Sequence, residues 1–425
     1  MSKKFLPIII TLVVLALSIL AGYIYGQNRL NNKDNDNAST PSKKIGQNQP
    51  PAEGDDADPI LAKIKDMSLE EKVGQLVIVG IDGYEIDADA QELVDEYHVG
   101  GFILLKKNVR DTDQMLSLIN SLKETNAGYK IPLFLSIDEE GGRISRMPEE
   151  FFQIPTSKKI GDQNNSELAY QIGSILGEEL KLFGLNMNFA PVLDINSNPD
   201  NPVIGDRAFG SNADIVTKLG IETMKGLQAE NIISAVKHFP GHGDTSVDSH
   251  VGLPTVNNDL DRLESIELLP FSEAIKNKVD VVMIAHILLP KIDADHPSTF
   301  SKTIISDILR KKLNFDGVVI TDDMTMGAIT NNYDIGEAAV KSINAGSDII
   351  LVCHDYEKEK AVLQSLQNAA KTGAIPQERI DESVYRVLKL KEKYHLLDRT
   401  VPALGPEKIN KKIEALYQEY PSLEG

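Results

Sequence analysis

The densest group of potentially reactive side chains lies between Lys237 and His250, where three of the chain's eight histidines fall. Glycines and other small residues interrupt this stretch, which predicts a loop and not a helix. Because imidazole and carboxylate groups ligate zinc or iron, His238, His242, Asp244 and His250 form one candidate metal site. A solvated loop without function is a weaker interpretation, since it gives no reason for histidines to cluster.

The same loop contains a second arrangement, in which Asp248 precedes His250 by two residues. A carboxylate beside an imidazole orients the ring and fixes its tautomer, and the ring titrates near neutral pH, which suits general acid and base catalysis. From the residues alone, the metal and the acid/base hypotheses both stay open.

Eight short apolar runs, separated by amphipathic helical stretches, are spaced along the chain. Runs that are apolar on both faces predict buried parallel strands, and eight strand-then-helix units predict an α/β fold of the (β/α)₈ TIM-barrel type. A doubly wound open sheet is the main alternative. The predicted strands are Leu76–Val79, Gly101–Leu105, Pro132–Ile137, Met187–Leu193, Ile233–His238, Val281–Leu288, Gly317–Thr321 and Asp348–Cys353.

Six of these eight runs contain ionisable residues near their carboxyl ends or are followed at once by them. Since the carboxyl ends of barrel strands surround the active site, this placement favours an enzyme over a scaffold. The residues are Asp138, Asp194, Lys237 with His238, His286, Asp322 with Asp323, and Cys353 with His354.

The loop after the fifth predicted strand is similar to the signature of the glycoside hydrolase family 3 β-N-acetylglucosaminidases. The similarity lies in its Lys-His-Phe-Pro-Gly-His-Gly-Asp run and in the Asp-Ser-His that follows. It extends over the chain from about Ser68 to Leu397 and implies a TIM-barrel glycosidase. Four further segments resemble motifs of this family: 137–143, 188–194, 205–209 and 321–326.

The resemblance also implies roles for individual residues. Asp322 would be the nucleophile, and Asp248 with His250 would be the acid/base dyad. No cofactor and no metal would be needed. His354 departs from the smaller polar residue expected after the eighth strand. The residues that would hold the sugar are Asp138, Arg146, Arg207, Lys237 and His238.

The reaction expected from the resemblance is retaining, exo-acting hydrolysis of terminal β-linked N-acetylglucosamine from peptidoglycan-derived or related oligosaccharides. A metal-dependent TIM-barrel hydrolase and a non-catalytic wall-binding module are the alternatives. The first predicted strand has no His-x-His motif, which argues against the metal-dependent hydrolase. Asp322 and the Asp248–His250 pair argue against the wall-binding module. Many members of the wider family carry a second α/β domain that donates the acid, and the dyad predicts the branch without that domain.

The N-terminal 26 residues consist of Lys3 and Lys4 followed by an uncharged, mostly apolar stretch from Phe5 to Gly26. This stretch is long enough to cross a bilayer, and the lysines before it favour a cytoplasmic N-terminus. A signal anchor is therefore preferred over a cleaved signal peptide, with a flexible linker over 27–58. The expected location is extracytoplasmic, membrane-anchored or secreted, in the zone of the cell wall.

The barrel is expected over residues 59–398, with a capping box at Ser68 and Glu71 near its start, and a helical C-terminal tail is expected over 399–425. The chain has 63 acidic and 44 basic side chains, and this excess of negative charge disfavours nucleic acid as a partner. The single cysteine, Cys353, excludes an intramolecular disulfide.

Overall fold

The computed structural model describes residues 58–424. Eight parallel strands form a closed barrel in chain order, and the last strand pairs with the first. This topology confirms the predicted (β/α)₈ fold and excludes the open sheet. The strands are β1 (Val77–Val79), β2 (Gly101–Leu104), β3 (Phe134–Ile137), β4 (Met187–Asn188), β5 (Ile233–Phe239), β6 (Val281–Ile284), β7 (Val318–Asp323) and β8 (Ile349–Val352).

Helices cover the outside of the barrel, so the strands are buried on both faces, as parallel strands generally are. A π-helical segment, Thr303–Lys312, stands between β6 and β7. The α-helices are α1 (Pro59–Asp66), α2 (Leu69–Gly74), α3 (Ala88–Asp95), α4 (Thr112–Asn126), α5 (Ser157–Gln163), α6 (Ser166–Phe183), α7 (Ala213–Ala229), α8 (Leu260–Ser265), α9 (Leu269–Lys276), α10 (Gly327–Thr330), α11 (Ile335–Ala345), α12 (Tyr356–Thr372), α13 (Gln377–Lys393) and α14 (Glu407–Glu419).

The fourth strand is much shorter than the predicted run 187–193. Pro191 has no N–H to donate to a strand ladder, and beyond β4 only an isolated bridge joins Val192 to Lys237. β6 also ends earlier than predicted, at Ile284, because the chain beyond it soon pairs with a loop and not with the neighbouring strand. Apolar composition alone therefore overestimated both strands.

Helix α13 closes the end of the barrel at which the strands begin. The buried ammonium group of Lys391 donates hydrogen bonds to Gln75 Oε1 at 2.7 Å, to Gly100 O at 2.9 Å and to Pro132 O at 2.7 Å. These three acceptors come just before β1, β2 and β3. One helical side chain thus joins the starts of three consecutive strands, and the open end of the barrel lies opposite.

Asp348, which directly precedes β8, carries a buried negative charge at the same end. Its carboxylate pairs with Arg310, with Arg379 at 3.0 Å and with Arg386 at 3.3 Å. Burial would raise the pKa of Asp348, but the three guanidinium groups lower it to about 2. The charge is therefore retained throughout the neutral range and ties α13 to the barrel.

The Asp348→Asn variant is expected to lose roughly 3–5 kcal/mol of its free energy of unfolding, because three guanidinium groups are left without their carboxylate. Since the pKa of Asp348 is lowered on folding, its contribution is present above about pH 4 and disappears as the pH falls through about 2. Urea denaturation should therefore give a constant difference from wild type at neutral pH and a smaller one in acid. The exposed Asp316 is a matched control, and its change to Asn should cost less than about 0.5 kcal/mol.

The two ends of the described chain meet the barrel in different ways. The capping box at Ser68 and Glu71 is confirmed. Helix α14 packs on the barrel through Asn410, which bonds to the backbone of Glu150 and Phe152. No helix within residues 58–424 has the length and hydropathy needed to cross a bilayer. The predicted anchor over 1–26 and the linker over 27–57 lie outside the described residues.

Candidate active site

A cavity of about 300 Å³ opens at the carboxyl ends of the strands. The polar residues predicted at the ends of β3, β5 and β7 meet here, together with three predicted residues from the connections between elements. Asp248 does not line the cavity but contacts His250, which does. The predicted residues that line it are Asp138, Arg146, Arg207, Lys237, His238, His250 and Asp322.

Lys237 is the centre of a buried ionic network on one wall of the cavity. Its ammonium group lies 2.5 Å from the carboxylate of Asp138 and 2.7 Å from that of Glu140. Arg207 donates to both oxygens of Glu140, at 2.9 and 2.7 Å. Burial would raise the pKa of Glu140, but Arg207 and Lys237 hold it well below the ordinary range. Glu140, Arg207 and Lys237 are therefore charged, and together with Asp138 they give a hydroxyl-rich ligand fixed donors and acceptors.

Glu140 is a site residue that the sequence analysis did not assign. It lies in the segment 137–143, two residues after Asp138, which the family resemblance did assign to the site. The alternation of side chains along an extended chain was the available indication, because Asp138 and Glu140 lie two residues apart and face the same side.

The segment 138–146, named the β3 turn below, carries three of the polar side chains that line the cavity. Gly141 has a φ of +83° and Gly142 a φ of +55°, a region that favours glycine. A Cβ atom at Gly142 would lie 2.4 Å from Thr156 Cγ2. These two glycines let the chain reverse, so that the Glu140 amide donates to Ile144 O at 2.9 Å.

Arg146 leaves the β3 turn toward the cavity, whereas Arg143 does not. Arg143 forms an exposed ion pair with Asp206 at 2.7 Å, the structural role expected of an arginine in a loop. The buried Nε of Arg146 has no hydrogen-bond partner within residues 58–424. A buried donor without a partner is costly, so a ligand oxygen would satisfy it.

His238 is oriented from behind by a buried carboxylate. Asp194 Oδ2 lies 2.6 Å from His238 Nδ1, and Asp194 Oδ1 accepts the His242 amide at 2.6 Å. Burial would raise the pKa of Asp194, but His238 and the other donors lower it. The carboxylate therefore holds the proton on Nδ1 and leaves His238 Nε2 to face the cavity.

The ring of His242 is bonded to hydroxyl groups of its own loop. Its Nδ1 lies 2.8 Å from Thr245 Oγ1, and its Nε2 lies 3.2 Å from Ser249 Oγ. Burial lowers the pKa of His242 to about 4, and the neighbouring His238 adds to this effect. A neutral His242 thus braces the loop. Across residues 58–424, no three His, Cys, Asp or Glu side chains are grouped to hold a metal ion.

Strand β7 extends to Asp323, two residues beyond its predicted end, so both aspartates are strand residues. Asp323 is saturated, because it accepts the amides of Thr325 and Cys353 and the hydroxyl of Thr325 at 2.6 Å. The Asp322 carboxylate accepts only the Asp323 amide, at 2.8 Å, among the described residues. Asp322 is therefore the carboxylate left available to react.

The pKa of Asp322 also favours the ionised form of this carboxylate. Burial would raise it, but His238, His286 and Lys237 and the amide of Asp323 lower it below the ordinary value of an aspartate. An ionised carboxylate at neutral pH is what a nucleophile requires.

The predicted dyad is formed on the loop after β5. His250 Nδ1 lies 2.8 Å from Asp248 Oδ1, and the same oxygen accepts the His250 amide at 2.8 Å. Partial burial opposes ionisation, but these two hydrogen bonds lower the pKa of Asp248. The side chain of His250 is 65% exposed, so its Nε2 is accessible at the cavity rim.

The loop that carries the dyad rests on the segment after β7. The Ala328 amide donates to Ser249 O at 3.0 Å, and Asn331 Nδ2 donates to Val251 O at 3.1 Å. A Cβ atom at Gly327 would lie 2.5 Å from His250 O. These contacts hold the loop in a position in which His250 and Asp322 line the same cavity.

Residues 68–390 match the family model described as the glycosyl hydrolase family 3 N terminal domain. The chain belongs to glycosyl hydrolase family 3. It is a glycoside hydrolase, and its barrel corresponds to the N-terminal domain that the family model describes.

Named relatives of this family 3 chain are β-hexosaminidases. Beta-hexosaminidase A of Pseudoalteromonas piscicida is 38% identical over 329 residues, which are 72% of this chain and 55% of that protein, so the chain spans about half of this relative. A family 3 β-N-acetylglucosaminidase structure from Paenibacillus sp. str. FPU-7 has 42% identity and a TM-score of 0.79, over 83% of this chain and 69% of that one. The zinc-bound CbsA structure from Thermotoga neapolitana has 30% identity and a TM-score of 0.70, over 77% and 70% of the two chains.

His354 lines the cavity of this family 3 barrel, at the position where a smaller residue was expected. Thr325 Oγ1 donates to Asp323 at 2.6 Å and lies 3.0 Å from His354 Nδ1. Since the Thr325 proton is already used, His354 Nδ1 is the donor in this contact. His354 is thus held through Thr325 near Asp323, whose carboxylate lies 3.8 Å from His354 Nδ1.

Proposed function

We propose that this hydrolase removes terminal β-linked N-acetylglucosamine by a retaining mechanism, with Asp322 as nucleophile and His250, oriented by Asp248, as general acid and base. The observation that supports the proposal is one cavity that is lined both by an ionised, sparsely bonded Asp322 carboxylate and by an accessible His250 ring. A retaining glycosidase needs a carboxylate below the anomeric carbon and a proton donor at the leaving oxygen.

The remaining polar groups fit the binding of one sugar ring. Asp138 offers a carboxylate and Lys237 an ammonium group, and Arg146 offers an unsatisfied donor. Charged groups of both signs at fixed positions recognise hydroxyl and acetamido groups through hydrogen bonds. The named relatives act as β-hexosaminidases, and the proposal extends that substrate class to this chain.

The test uses two chromogenic substrates with the same leaving group, an N-acetyl-β-glucosaminide and a β-glucoside. The proposal expects rapid hydrolysis of the first and little of the second. The configuration of the first-formed sugar, followed by proton NMR, should be β. Equal rates on both substrates, or an α product, would contradict the proposal.

Chelation should leave the activity intact. The roles proposed for Lys237, His238 and His250 require no metal, and both ring nitrogens of His242 are bonded within the loop. Prolonged treatment with EDTA, followed by the chromogenic assay, is expected to preserve the initial rate. Loss of activity that one equivalent of zinc restores would favour the metal-dependent alternative.

We further propose that the protein acts outside the cytoplasmic membrane on peptidoglycan-derived saccharides, on the strength of the apolar stretch from Phe5 to Gly26. Protease added to intact, wall-stripped cells is expected to digest the barrel, as followed with an antibody against it. A cytoplasmic protein serves as the protected control. Digestion that occurs only after lysis would refute this location.

A further inference from the structure

Glu139 lies between two residues of the active-site network but points away from the cavity. Its carboxylate accepts the Arg146 amide at 2.6 Å and the hydroxyl of Ser145. Its own amide donates to Asn188 Oδ1 at 3.0 Å, and Asn188 Nδ2 donates to the Glu139 carbonyl at 2.8 Å. The side chain thus closes the β3 turn across its base, and β4 holds its backbone.

A second buried carboxyl group, that of Glu179 on α6, faces the same region. Both glutamates are about 1% exposed. Glu179 Oε2 is buried and has no hydrogen-bond partner within the described part of the chain. An unpaired carboxylate in such a place is strongly disfavoured, so a proton must be retained there.

The charged groups around the pair do not neutralise both carboxylates. The charge of Arg146 favours ionisation of Glu139 and lowers its pKa, but less than burial raises it. Lys106 donates to Met147 O at 2.7 Å, and Arg143 is paired with Asp206. Burial raises the pKa of Glu139 to about 7 and that of Glu179 well above its ordinary value, and the charge of Glu139 raises the latter further.

We propose that Glu139 is a positioning residue of the active site, and that one proton is retained on the buried pair of Glu139 and Glu179 beneath the β3 turn. With the proton in place, one net negative charge remains and Glu139 holds the Arg146 amide. When the proton leaves, two carboxylates repel each other where water screens them little. Glu139 is then pushed away from the amide, and the turn that presents Asp138 and Arg146 loosens.

Three variants separate this role from simple structural support. In Glu139→Gln, the amide oxygen still accepts the Arg146 amide, and the side chain carries no charge at any pH. Glu179→Gln removes the second carboxyl group and leaves the bond between Glu139 and the turn in place. Glu139→Ala removes the bond to the turn. Glu149→Gln is the matched control, because Glu149 is an exposed glutamate that borders the same region beneath the β3 turn.

The first measurement is kcat/KM on the chromogenic N-acetyl-β-glucosaminide, and it rests on the proposed function. Glu139→Ala is expected to lose about 10- to 100-fold, mainly through KM, because the sugar-binding groups are displaced. Wild type is expected to lose kcat/KM above about pH 7. Glu139→Gln should stay within about threefold of wild type at acid pH and should not show this decline. The control should match wild type throughout.

The second measurement is Tm, which does not depend on the substrate. A carboxyl group whose pKa is raised on folding costs stability as the pH rises from its ordinary pKa through the raised one. Wild type and Glu139→Gln should therefore have equal Tm values near pH 4.5, and Glu139→Gln should be more stable by a few degrees at about pH 8.

Three results would overturn the proposal: wild-type kcat/KM in Glu139→Ala, equal impairment of Glu139→Gln and Glu139→Ala, or a Tm difference that does not change with pH. If Glu139→Ala does not fold, the comparison of wild type with Glu139→Gln and Glu179→Gln still decides. Failure of wild type to hydrolyse the substrate would refute the proposed function and leave the Tm test valid.

Discussion

The Asp322→Asn variant is expected to hydrolyse N-acetyl-β-glucosaminides on the order of 10⁴-fold more slowly than wild type, with little change in Tm. The amide cannot form the covalent glycosyl-enzyme on which a retaining mechanism depends. Its oxygen can still accept the Asp323 amide, which is the one hydrogen bond that the described structure gives Asp322. The loss should therefore be chemical and not structural, and it is measured as kcat in the chromogenic assay.

Asp316→Asn is the matched control, because Asp316 precedes the same strand at the closed end of the barrel. It should retain wild-type kcat. A slowly turned-over fluorinated substrate should also label Asp322, as located by peptide mapping. Labelling of Asp323 would contradict the assignment and would require its three hydrogen bonds to be broken first.

The His250→Ala variant is expected to slow glycosylation by about 10²- to 10⁴-fold for substrates with alkoxide leaving groups. The same variant should react with a dinitrophenyl glycoside at nearly the wild-type rate of glycosylation, since that leaving group departs without a proton. The physical reason is the geometry of the dyad. Asp248 occupies His250 Nδ1, so Nε2 alone can serve the leaving oxygen. Pre-steady-state rates on the two substrates provide the measurement.

His296→Ala provides a matched control for this experiment. His296 is also exposed, and its Nδ1 lies 3.3 Å from Asp293, but neither residue lines the cavity. Removal of the His296 side chain should change the glycosylation rate only slightly, and to the same extent for both substrates. An equal fall in glycosylation rate for both substrates in His250→Ala would exclude His250 as the general acid.

The fold followed from the spacing of apolar runs, but the lengths of individual strands did not. β4 keeps only two residues, because Pro191 interrupts a ladder that composition alone would continue. β7 gains Asp322 and Asp323, which a hydrophobicity pattern excludes from a strand. The Asp323 carboxylate accepts the amides of Thr325 and Cys353, and a contact with a segment as distant as that of Cys353 is not visible in a local pattern.

Site residues could be predicted where they lie in a sequence motif. They were missed where their role depends on a contact with a residue far away in the chain. Asp322, His250 and Lys237 follow from motif and position. Glu140 was missed because its role depends on Arg207, 67 positions away in the chain. The contrast between Asp322 and Asp323 also required the structure, since only the hydrogen bonds of Asp323 show which carboxylate is already occupied.

The separation of the two polar ends of the barrel has a consequence for protein engineering. Asp348 and Lys391 hold the closed end together through contacts that no substrate touches. These stabilising contacts lie far from the cavity, so substitutions at the cavity rim leave them intact. A library built at His354 and the neighbouring loop positions should therefore tolerate many side chains, and this barrel is a suitable starting point for evolving altered sugar specificity.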